Sequence, residues 1–473
     1  MNSRLQRNLD RAVVAGLLAG IVAATDLAAA DPVAAAAQAT IRDWPQIGGP
    51  CGGFAVNDPS LRDDWTGAEG KVAWRAKLTA PPTPKGAAIA KGQVYVVDLD
   101  AEKKEAVLRV LGLDDGQERW NCHWPVEGQF KVQKASFQLH GSIPAVTDDF
   151  VYLISDVKTG DKPGPASASI RAIDLALHRQ AWMLDPATRG CFVSQHASPI
   201  VVDDLLLFVA QKKGGAALVA LDRRNGEARW VADAPGGGWM IHAPQSATIG
   251  GVRQIVMHHG KGATGFDLAG KPLWTWTDYQ RWSLRSCPSV SPEGLIFVAS
   301  GHEGSSAMFR VSRHGDDWTC TTIYADGLTG RGKGVKDKDT NPFWPTVPHL
   351  VDGNDYYSSG AWWDEALYAN CTRGLHCTRA DGTIAWHGKA QSGKAGCSVI
   401  AVNGRILTLE GVKGKGVCLA VYAADPKTRT QLATIPIHQR SHNVELAYAG
   451  GRVISVSPLD GEVVCVDLGA KRP

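Results

Sequence analysis

Four histidines and one arginine occupy similar places along the chain, each shortly before a short apolar run. They are His140 in LHGSIP, His196 in QHASPI, His242 in IHAPQS, Arg285 in LRSCPS and His442 in SHNVEL. Imidazoles that converge on one point bind metal ions, and an added guanidinium favours a small anionic ligand. Alternatively, each histidine holds a recurring structural corner through a bond to a neighbouring backbone. The choice depends on where the fold places the five residues.

A recurring phrase predicts the elements that position these residues. An apolar strand, a turn built on Asp, Asn or Gly, and then a tryptophan recur in LGLDDGQERW, ending at Trp120, and in LVALDRRNGEARW, ending at Trp230. Weaker copies end at Trp182, Trp274 and Trp386. Strand-only units with a period of roughly 40 to 60 residues are typical of β-propeller blades, and the tryptophans are expected to pack between blades.

Continuous apolar runs predict the second strand of each blade, because that strand is covered on both faces. The eight runs begin at Gln93, Phe150, Leu205, Arg253, Leu295, Asp355, Arg405 and Arg452. Residues 72–78 resemble an outer strand without a blade of its own, and the last unit lacks an outer strand. Pairing the two removes both open edges. The sequence therefore predicts an all-β fold, an eight-bladed β-propeller of four-stranded antiparallel blades closed by an N-terminal outer strand.

The first 30 residues have the pattern of a cleaved signal peptide. Three arginines precede an apolar stretch at residues 12–25, and small residues follow. The stretch is short for a bilayer span, so we expect cleavage after residue 30, or as late as residue 39, and a periplasmic or secreted protein without a membrane span. Residues 31–71 are then an N-terminal extension, and residues 72–473 are the propeller domain.

The charge balance excludes one class of partner. The 473 residues carry a net charge of +3, and basic and acidic side chains are interspersed. A nucleic-acid binder would concentrate Lys and Arg on one face. We therefore expect no nucleic acid as partner, but an envelope protein or a small-molecule ligand, and a monomeric protein.

Ten cysteines are expected to meet an oxidising compartment, in which disulfides are permitted. Cys371 and Cys377 flank an apparent hairpin and are the candidates for a bridge. Other cysteines lie in strands that look buried, where a small apolar thiol is the simpler interpretation. The chain has no C-x-x-C, so thioredoxin-type and zinc-ribbon signatures are absent.

Three tryptophans lie outside the repeat register. Trp344 and the pair Trp362 and Trp363 belong to a longer unit that contains AWWDEALY. Exposed aromatic rings of this kind bind protein partners or sugars. The alternative is local packing of an insertion.

The motif WPQIGGP at residues 44–50, a lone outer strand and repeated LD-x-x-x-G-x-x-x-W phrases together carry a family resemblance. The chain resembles exported PQQ-like (pyrroloquinoline quinone repeat) β-propeller proteins of the quinoprotein alcohol dehydrogenase-like and BamB-like superfamily. The resemblance implies the propeller fold and leaves the activity open, because this superfamily contains both enzymes and an assembly scaffold.

The catalytic features that the resemblance implies for quinoproteins are a vicinal Cys-Cys pair, calcium ligands and an Asp base. No Cys-Cys dipeptide occurs, and the partial calcium loop at residues 337–341 continues with Pro342 and Pro348 where Gly and Glu are required. We therefore predict a non-catalytic binding or scaffold module without a cofactor or catalytic residue. The alternatives are a quinoprotein oxidoreductase, with PQQ and a divalent cation, and a metal-binding propeller that uses the histidines.

Overall fold

The computed structural model forms eight sheets of four antiparallel strands, which confirms the predicted eight-bladed propeller. It describes residues 41–65, 71–79, 85–100, 102–103, 105–125, 142–158, 167–194, 196–240, 242–280, 283–300, 306–325, 359–371, 374–388, 399–441 and 444–469. We number the blades in chain order from the sheet that contains Gln93–Asp100, and we give the strands of each blade from the innermost to the outermost.

The first four blades follow one another along the chain without a change of strand order. Blade 1 contains Ala88–Ala90, Gln93–Asp100, Glu105–Gly112 and Glu118–Pro125; blade 2 contains Ala145–Val146, Phe150–Lys158, Ser167–Asp174 and Arg179–Leu184. Blade 3 contains Ile200–Val202, Leu205–Lys212, Gly215–Asp222 and Ala228–Pro235; blade 4 contains Gln245–Ile249, Val252–His259, Gly262–Phe266 and Pro272–Trp276. The 3-10 helix Pro186–Arg189 follows blade 2.

Blades 5 to 7 repeat this order, and blade 8 takes its outer strand from the beginning of the chain. Blade 5 contains Ser289–Val290, Leu295–Ala299, Ser306–His314 and Asp317–Ala325; blade 6 contains Ala361–Trp363, Ala366–Cys371, Gly374–Arg379 and Ile384–His387. Blade 7 contains Ile400–Val402, Arg405–Val412, Gly416–Ala423 and Gln431–His438; blade 8 contains Ala447–Ala449, Arg452–Ser457, Glu462–Asp467 and Lys71–Lys77.

The closure of the ring is as predicted. Lys71–Lys77 pairs antiparallel with Glu462–Asp467, so the first and last parts of the described chain share one sheet. Arg75 lies 3.0 Å and Lys77 lies 3.5 Å from the Glu462 carboxylate. The closing strand is thus held by backbone bonds and by two ion pairs to one nearly buried acid.

The strands that the sequence predicts most clearly are those that are buried on both faces. Gly215–Asp222, a third strand, is buried along its whole length, whereas the outer strand Ala228–Pro235 alternates between buried and exposed residues. A strand sandwiched between neighbouring sheets loses contact with water on both faces and must be apolar throughout. Burial of such strands forms the core between the blades.

The outer tryptophans join each blade to the next, as predicted. The indole N–H of Trp230 donates to the carbonyl of Leu268 in blade 4, at 3.0 Å. Trp386 donates in the same way to Asp425 in blade 7, at 2.8 Å. Trp120 of blade 1 stacks on His178 of blade 2, with ring centroids 4.1 Å apart. Trp274 differs, because it donates to Gln254 of its own blade.

One predicted second strand is wrong. The run that begins at Asp355 is not the second strand of blade 6; that strand is Ala366–Cys371. The turn that precedes it is formed by Asp364 and Glu365, which have φ of 47° and 59°. Because acidic residues replace the usual Asn and Gly of such a turn, the hairpin carried no recognisable turn signal.

The candidate bridge between Cys371 and Cys377 does not form. Cys377 is a free, buried thiol. In the hairpin it faces Tyr368 across the strands, whereas Cys371 faces Gly374 at the turn. Two residues of a hairpin that do not face each other are too far apart to bridge. Burial raises the pKa of the Cys377 thiol to about 11.

The N-terminal extension enters the central channel, because it bonds to the innermost strands. Three consecutive residues bind blades 1, 2 and 3 at 2.8, 2.8 and 2.7 Å, through Trp44 with Ile89, Pro45 with Val146 and Gln46 with Val201. Ala55–Val56 then pairs in parallel with Ile400–Val402 of blade 7. The WPQ motif is therefore a structural element that crosses the inside of the ring.

Two glycines of the N-terminal extension, Gly48 and Gly52, allow it to approach blade 4. A Cβ atom on Gly48 would lie 2.5 Å from the side-chain oxygen of Gln245, and one on Gly52 would lie 2.8 Å from the carbonyl of Ser246. Both glycines have positive φ. Further on, Asp58 and Asn403 bond to each other beyond the innermost strand of blade 7. The extension thus lies along the innermost strands, from the first residues of that strand in blade 4 to the residue that follows it in blade 7.

Two short elements complete the described structure. Trp239–Met240, which precedes blade 4 in the chain, pairs in parallel with Ser283–Leu284, which precedes blade 5. Among the residues described, no helix has the length and hydrophobicity needed to cross a membrane.

Candidate functional site

The candidate site lies at the end of the channel where the innermost strands begin, which we call the channel entrance. Residues that directly precede these strands bond between neighbouring blades. The bonds are Ile143 N to Ser198 Oγ at 3.0 Å, Ala243 N to Cys287 Sγ at 3.4 Å, Cys287 N to Ser359 Oγ at 2.9 Å, Val399 N to Ser359 O at 3.2 Å and Glu445 N to Lys85 O at 2.7 Å. A recurring structural corner therefore exists, and its side-chain partners are Ser and Cys.

Three charged residues precede innermost strands at this entrance. Lys85 precedes the innermost strand of blade 1, Glu445 that of blade 8 and Arg285 that of blade 5. The backbone N–H of Glu445 donates to the Lys85 carbonyl at 2.7 Å. The charges of Arg285 and Glu445 both act on the Lys85 ammonium.

The pKa of Lys85 is strongly lowered. Burial lowers its pKa to about 7; the positive charge of Arg285 lowers it further, and the negative charge of Glu445 opposes the shift. Its ammonium makes no hydrogen bond or ion pair with any residue that the structure describes. A cation that is costly to bury is stabilised by a nearby anion, so the entrance is a candidate site for a small anion.

Cys287 lies beside this group as a thiol. It is 1% exposed, and burial, followed by the charge of Glu445, raises its pKa to about 12. The thiolate is the reactive form of cysteine, and a pKa this high leaves almost none at neutral pH. We therefore assign Cys287 a role in linking blades 4, 5 and 6.

His242 faces its own blade. Its Nε2 donates to the carbonyl of His258 at 3.0 Å, and the two rings pack edge to face with centroids 5.4 Å apart. Burial lowers the pKa of His242 to about 4, lowers that of His258 well below its usual value, and lowers that of the neighbouring His259 to about 3. Burial thus favours the neutral form of all three imidazoles near pH 7, and ligand binding by His242 stays a prediction.

The structure places only part of the predicted circle. His196 is 8% exposed and precedes the innermost strand of blade 3. Arg285 reaches the charged group at the entrance. His140 and His442 lie outside the described residues. Within the described part of the chain, neither His196 nor His242 belongs to a group of three potential metal ligands.

The structure describes two of the three tryptophans that were predicted to bind a partner. Trp362 lies on the innermost strand of blade 6, is 6% exposed and donates its indole N–H to the carbonyl of Ser289 at 3.1 Å. Trp363 is half-buried on the same strand. Trp344 lies outside the described residues. The geometry gives Trp362 a packing role between blades 5 and 6, and partner binding stays a prediction for the other two.

One described group has ligand atoms close enough to hold a metal ion, and sequence reasoning missed it. Potential ligand atoms of His438, Asp460 and Glu462 lie within 4.8 Å of one another. Each already has protein partners: His438 bonds Glu462 at 3.1 Å and Ser455 at 3.0 Å, Asp460 accepts two backbone N–H groups, and Glu462 pairs with the closing strand. This group fastens blade 8 to blade 7.

Sequence reasoning also missed Lys85 and Glu445. Both precede an innermost strand, as Arg285 does, in KGAAIA and VELAYA. This shared position is the signal that the sequence carries for them.

Sheet order and closure define the protein as a closed eight-bladed β-propeller, and charged residues lie at its channel entrance. A family model described as outer membrane protein assembly factor BamB matches residues 66–237 and 104–387. These matches together span more than half of the chain, and the chain belongs to this family of PQQ-like propellers. Comparison with curated protein sequences gives no significant match.

Solved structures share the fold at low sequence identity. BamB from Moraxella catarrhalis superposes with a TM-score of 0.50 and 12% identity, over 84% of this chain and 99% of that one. A quinohemoprotein alcohol dehydrogenase from Pseudomonas putida HK5 gives 0.56 and 12%, over 88% and 80%. A europium-containing methanol dehydrogenase gives 0.52 and 11%, over 89% of both chains. These likenesses establish the fold alone.

The described residues do not fit PQQ with a divalent cation. The chain has no vicinal Cys-Cys pair, and the described acidic group with potential metal ligands lies at the boundary of blades 7 and 8, with its atoms already bonded. At the entrance, the described charged groups include two cations and a single carboxylate, which is a poor donor set for a hard cation.

Proposed function

We propose that this protein is an exported, non-catalytic propeller that binds a small organic anion at the channel entrance. The observation that carries the proposal is the buried Lys85 ammonium at the entrance, on which the charge of Arg285 acts and to which the described residues give no hydrogen bond or ion pair. Export rests on the predicted signal peptide, which lies outside the described residues.

The electrostatics of the entrance supports a carboxylate ligand. Burial and the positive charge of Arg285 both disfavour the charged form of Lys85, and the charge of Glu445 opposes them. A bound carboxylate would restore the balance, and it would accept hydrogen bonds from both Lys85 and Arg285. Such charge-assisted bonds are stronger than bonds between neutral groups.

Isothermal titration calorimetry with lactate and succinate tests this function. We expect binding by the natural chain, and a loss of affinity of about tenfold or more in Arg285→Gln, because a hydrogen bond to a charged group contributes about 1.5–3 kcal/mol. Affinity should also fall as ionic strength rises.

Lys271→Gln is the matched control. Lys271 is exposed on a turn between the third and outer strands of blade 4, at the far end of the channel from the entrance. Its replacement should leave carboxylate affinity unchanged. The proposal fails if neither acid binds, or if Arg285→Gln and Lys271→Gln bind equally well.

A protein partner in the envelope is a second candidate function. The family description names an assembly factor, and blades 2 and 3 expose three large apolar side chains: Leu177 at 58%, Met183 at 45% and Val231 at 48%. A photoreactive residue at position 183 should capture a partner in intact cells, and one at Lys427 should not. Equal capture at both positions, or capture at neither, would contradict this assignment.

A further inference from the structure

We propose that residues 41–62 form an internal clasp, a segment that holds the ring of blades closed from inside the channel and opens only as a unit. The inference does not depend on the proposed function. It stands on the course of the N-terminal extension, which contacts the blades in ring order and ends on the blade at which it begins.

The first half of the clasp begins at blade 8 and passes blades 1 to 4. The carbonyl of Ile41 accepts the N–H of Gly450, which follows the innermost strand of blade 8, at 2.7 Å. Trp44 exchanges two backbone bonds with Ile89 of blade 1, at 2.8 and 2.9 Å. The next two residues bond to blades 2 and 3, and the glycine contacts with blade 4 complete this half.

The second half continues past blades 5 and 7 and returns to blade 8. A Cβ atom on Gly53 would lie 3.7 Å from a carbonyl of blade 5. The carbonyl of Phe54 accepts the N–H of Ala401 in blade 7 at 2.9 Å. Arg62 then donates its backbone N–H to the carbonyl of Leu468 in blade 8, at 3.1 Å. The clasp thus closes the ring a second time, in addition to the closing strand.

The two halves of the clasp are bonded to each other. The N–H of Phe54 donates to the carbonyl of Gly48 at 3.2 Å, and that of Gly49 donates to the carbonyl of Gln46 at 3.1 Å. The Trp44 ring covers Gly49, where an added Cβ atom would lie 2.9 Å from it. Loss of the contacts in one half therefore weakens those in the other half.

Burial makes the clasp costly to release. Trp44 is 1% exposed, Phe54 0% and Leu61 2%, and all three belong to the main hydrophobic core. Release would expose these side chains and the innermost strands to water. It would also remove the acceptors of backbone N–H groups on the inner edges of four sheets, at Ile89, Val146, Val201 and Ala401.

Hydrogen exchange on the full-length protein, measured by mass spectrometry, tests the clasp through Asn403→Gly. The Asn403 side chain exchanges two hydrogen bonds with the backbone of Asp58 in the clasp, and glycine keeps the positive φ of the turn, which is 46°. The substitution lies in blade 7. We nevertheless expect about tenfold faster exchange in blades 1 to 3, because opening of the whole clasp becomes easier, in the peptides that contain Ile89, Val146 and Val201.

Asp203→Gly is the matched control. Asp203 occupies the corresponding turn of blade 3 with φ of 54°, and its carboxylate pairs with Arg253 of blade 4. This variant should leave exchange in blades 1 and 2 unchanged. Phe54→Ala, which removes a buried ring of the clasp, should accelerate exchange in the same peptides further than Asn403→Gly does.

Three results would overturn the inference. The first is exchange in blades 1 and 2 that neither Asn403→Gly nor Phe54→Ala changes, since the contacts of the extension are then local. The second is equal acceleration by Asp203→Gly. The third is equal acceleration in the second strands of these blades, because the whole fold is then loosened rather than the clasp.

Discussion

Trp74 donates its indole N–H to the carbonyl of Leu113 at 2.8 Å, and this bond joins the last blade of the ring to the first. Trp74 belongs to the closing strand, and its ring lies over Gly116, where a Cβ atom would come within 2.5 Å of it. The contact has the same form as that of Trp230 with Gly270 between blades 3 and 4. Closure therefore uses the same contact as an ordinary blade boundary.

We expect Trp74→Ala to destabilise the ring strongly. The side chain is 8% exposed, and truncation of a buried tryptophan costs about 3–5 kcal/mol in the free energy of unfolding. Trp74→Phe keeps most of the packing and should cost less. Chemical denaturation provides the measurement, with Trp318→Ala on the partly exposed outer strand of blade 5 as control. Equal losses for Trp74→Ala and Trp318→Ala would contradict a special role of Trp74 in closure.

The glycine beneath each tryptophan allows a second prediction. Gly226 has φ of +74°, and an added Cβ would lie 2.7 Å from the Trp182 ring; Gly214 has φ of +88° with nothing within 4 Å. Both Gly→Ala variants suffer backbone strain of about 1–3 kcal/mol, but only Gly226→Ala also displaces the ring. Gly226→Ala should thus have the lower melting temperature. Equal melting temperatures for Gly226→Ala and Gly214→Ala would show that the Trp182 ring moves aside without a loss of stability.

The Glu462 carboxylate holds the closing strand and the buried His438 together. Glu462→Gln removes the charge that pairs with Arg75 and Lys77 and leaves His438 with a weaker acceptor. We expect a loss of about 3–5 kcal/mol in the free energy of unfolding, as for breaking a buried ion pair. Asp233→Asn, which breaks an exposed pair with Lys212, should cost no more than about 1 kcal/mol. Comparable losses measured by denaturation would show that solvent screens the Glu462 network.

Buried imidazoles predict a loss of stability in acid. The pKa of His242 is about 4 in the folded protein and about 6.5 in the unfolded chain, so only the unfolded chain binds a proton between these values. Stability is therefore complete above about pH 6.5 and falls as the pH drops towards 4, by up to about 1.4 kcal/mol per pH unit for this residue.

His242→Asn should flatten this pH dependence, even if it lowers stability at every pH. Denaturation between pH 4 and pH 8 is the measurement, and His314→Asn, at an exposed position, should leave the slope unchanged. An unchanged slope in His242→Asn would mean that the imidazole is accessible to protons in the folded state.

Lys85 has a separate pH signature in the alkaline range. Its pKa is about 7 when folded and about 10.4 when unfolded, so the unfolded chain holds the additional proton between these values. Its contribution makes stability rise with pH from about 7 to about 10. Lys85→Gln should abolish that rise and stabilise the ligand-free protein at pH 7, whereas Lys271→Gln should not. If the free energy of unfolding changes with pH in the same way for the natural chain and for Lys85→Gln, the Lys85 ammonium is exposed to solvent and its pKa is not lowered.

The repeat phrase was sufficient to predict the number of blades and the closing strand, because the second strands are apolar on both faces and the turns carry Asp, Asn or Gly. It failed at blade 6, where Asp364 and Glu365 make a turn with positive φ and no typical turn residue. A local sequence pattern predicts a strand or a turn only where the residues are those typical of that element.

The candidate site required the tertiary structure. Sequence position identified Arg285 and the histidines as neighbours of the innermost strands, and it applied equally to Lys85 and Glu445, which resemble ordinary surface residues in the sequence. Only ring closure brings Lys85 and Glu445 into range of Arg285, 200 and 160 residues away along the chain. The residue type determines which ionisable group is present, but the pKa of that group depends on burial and on neighbouring residues that only the tertiary structure brings together.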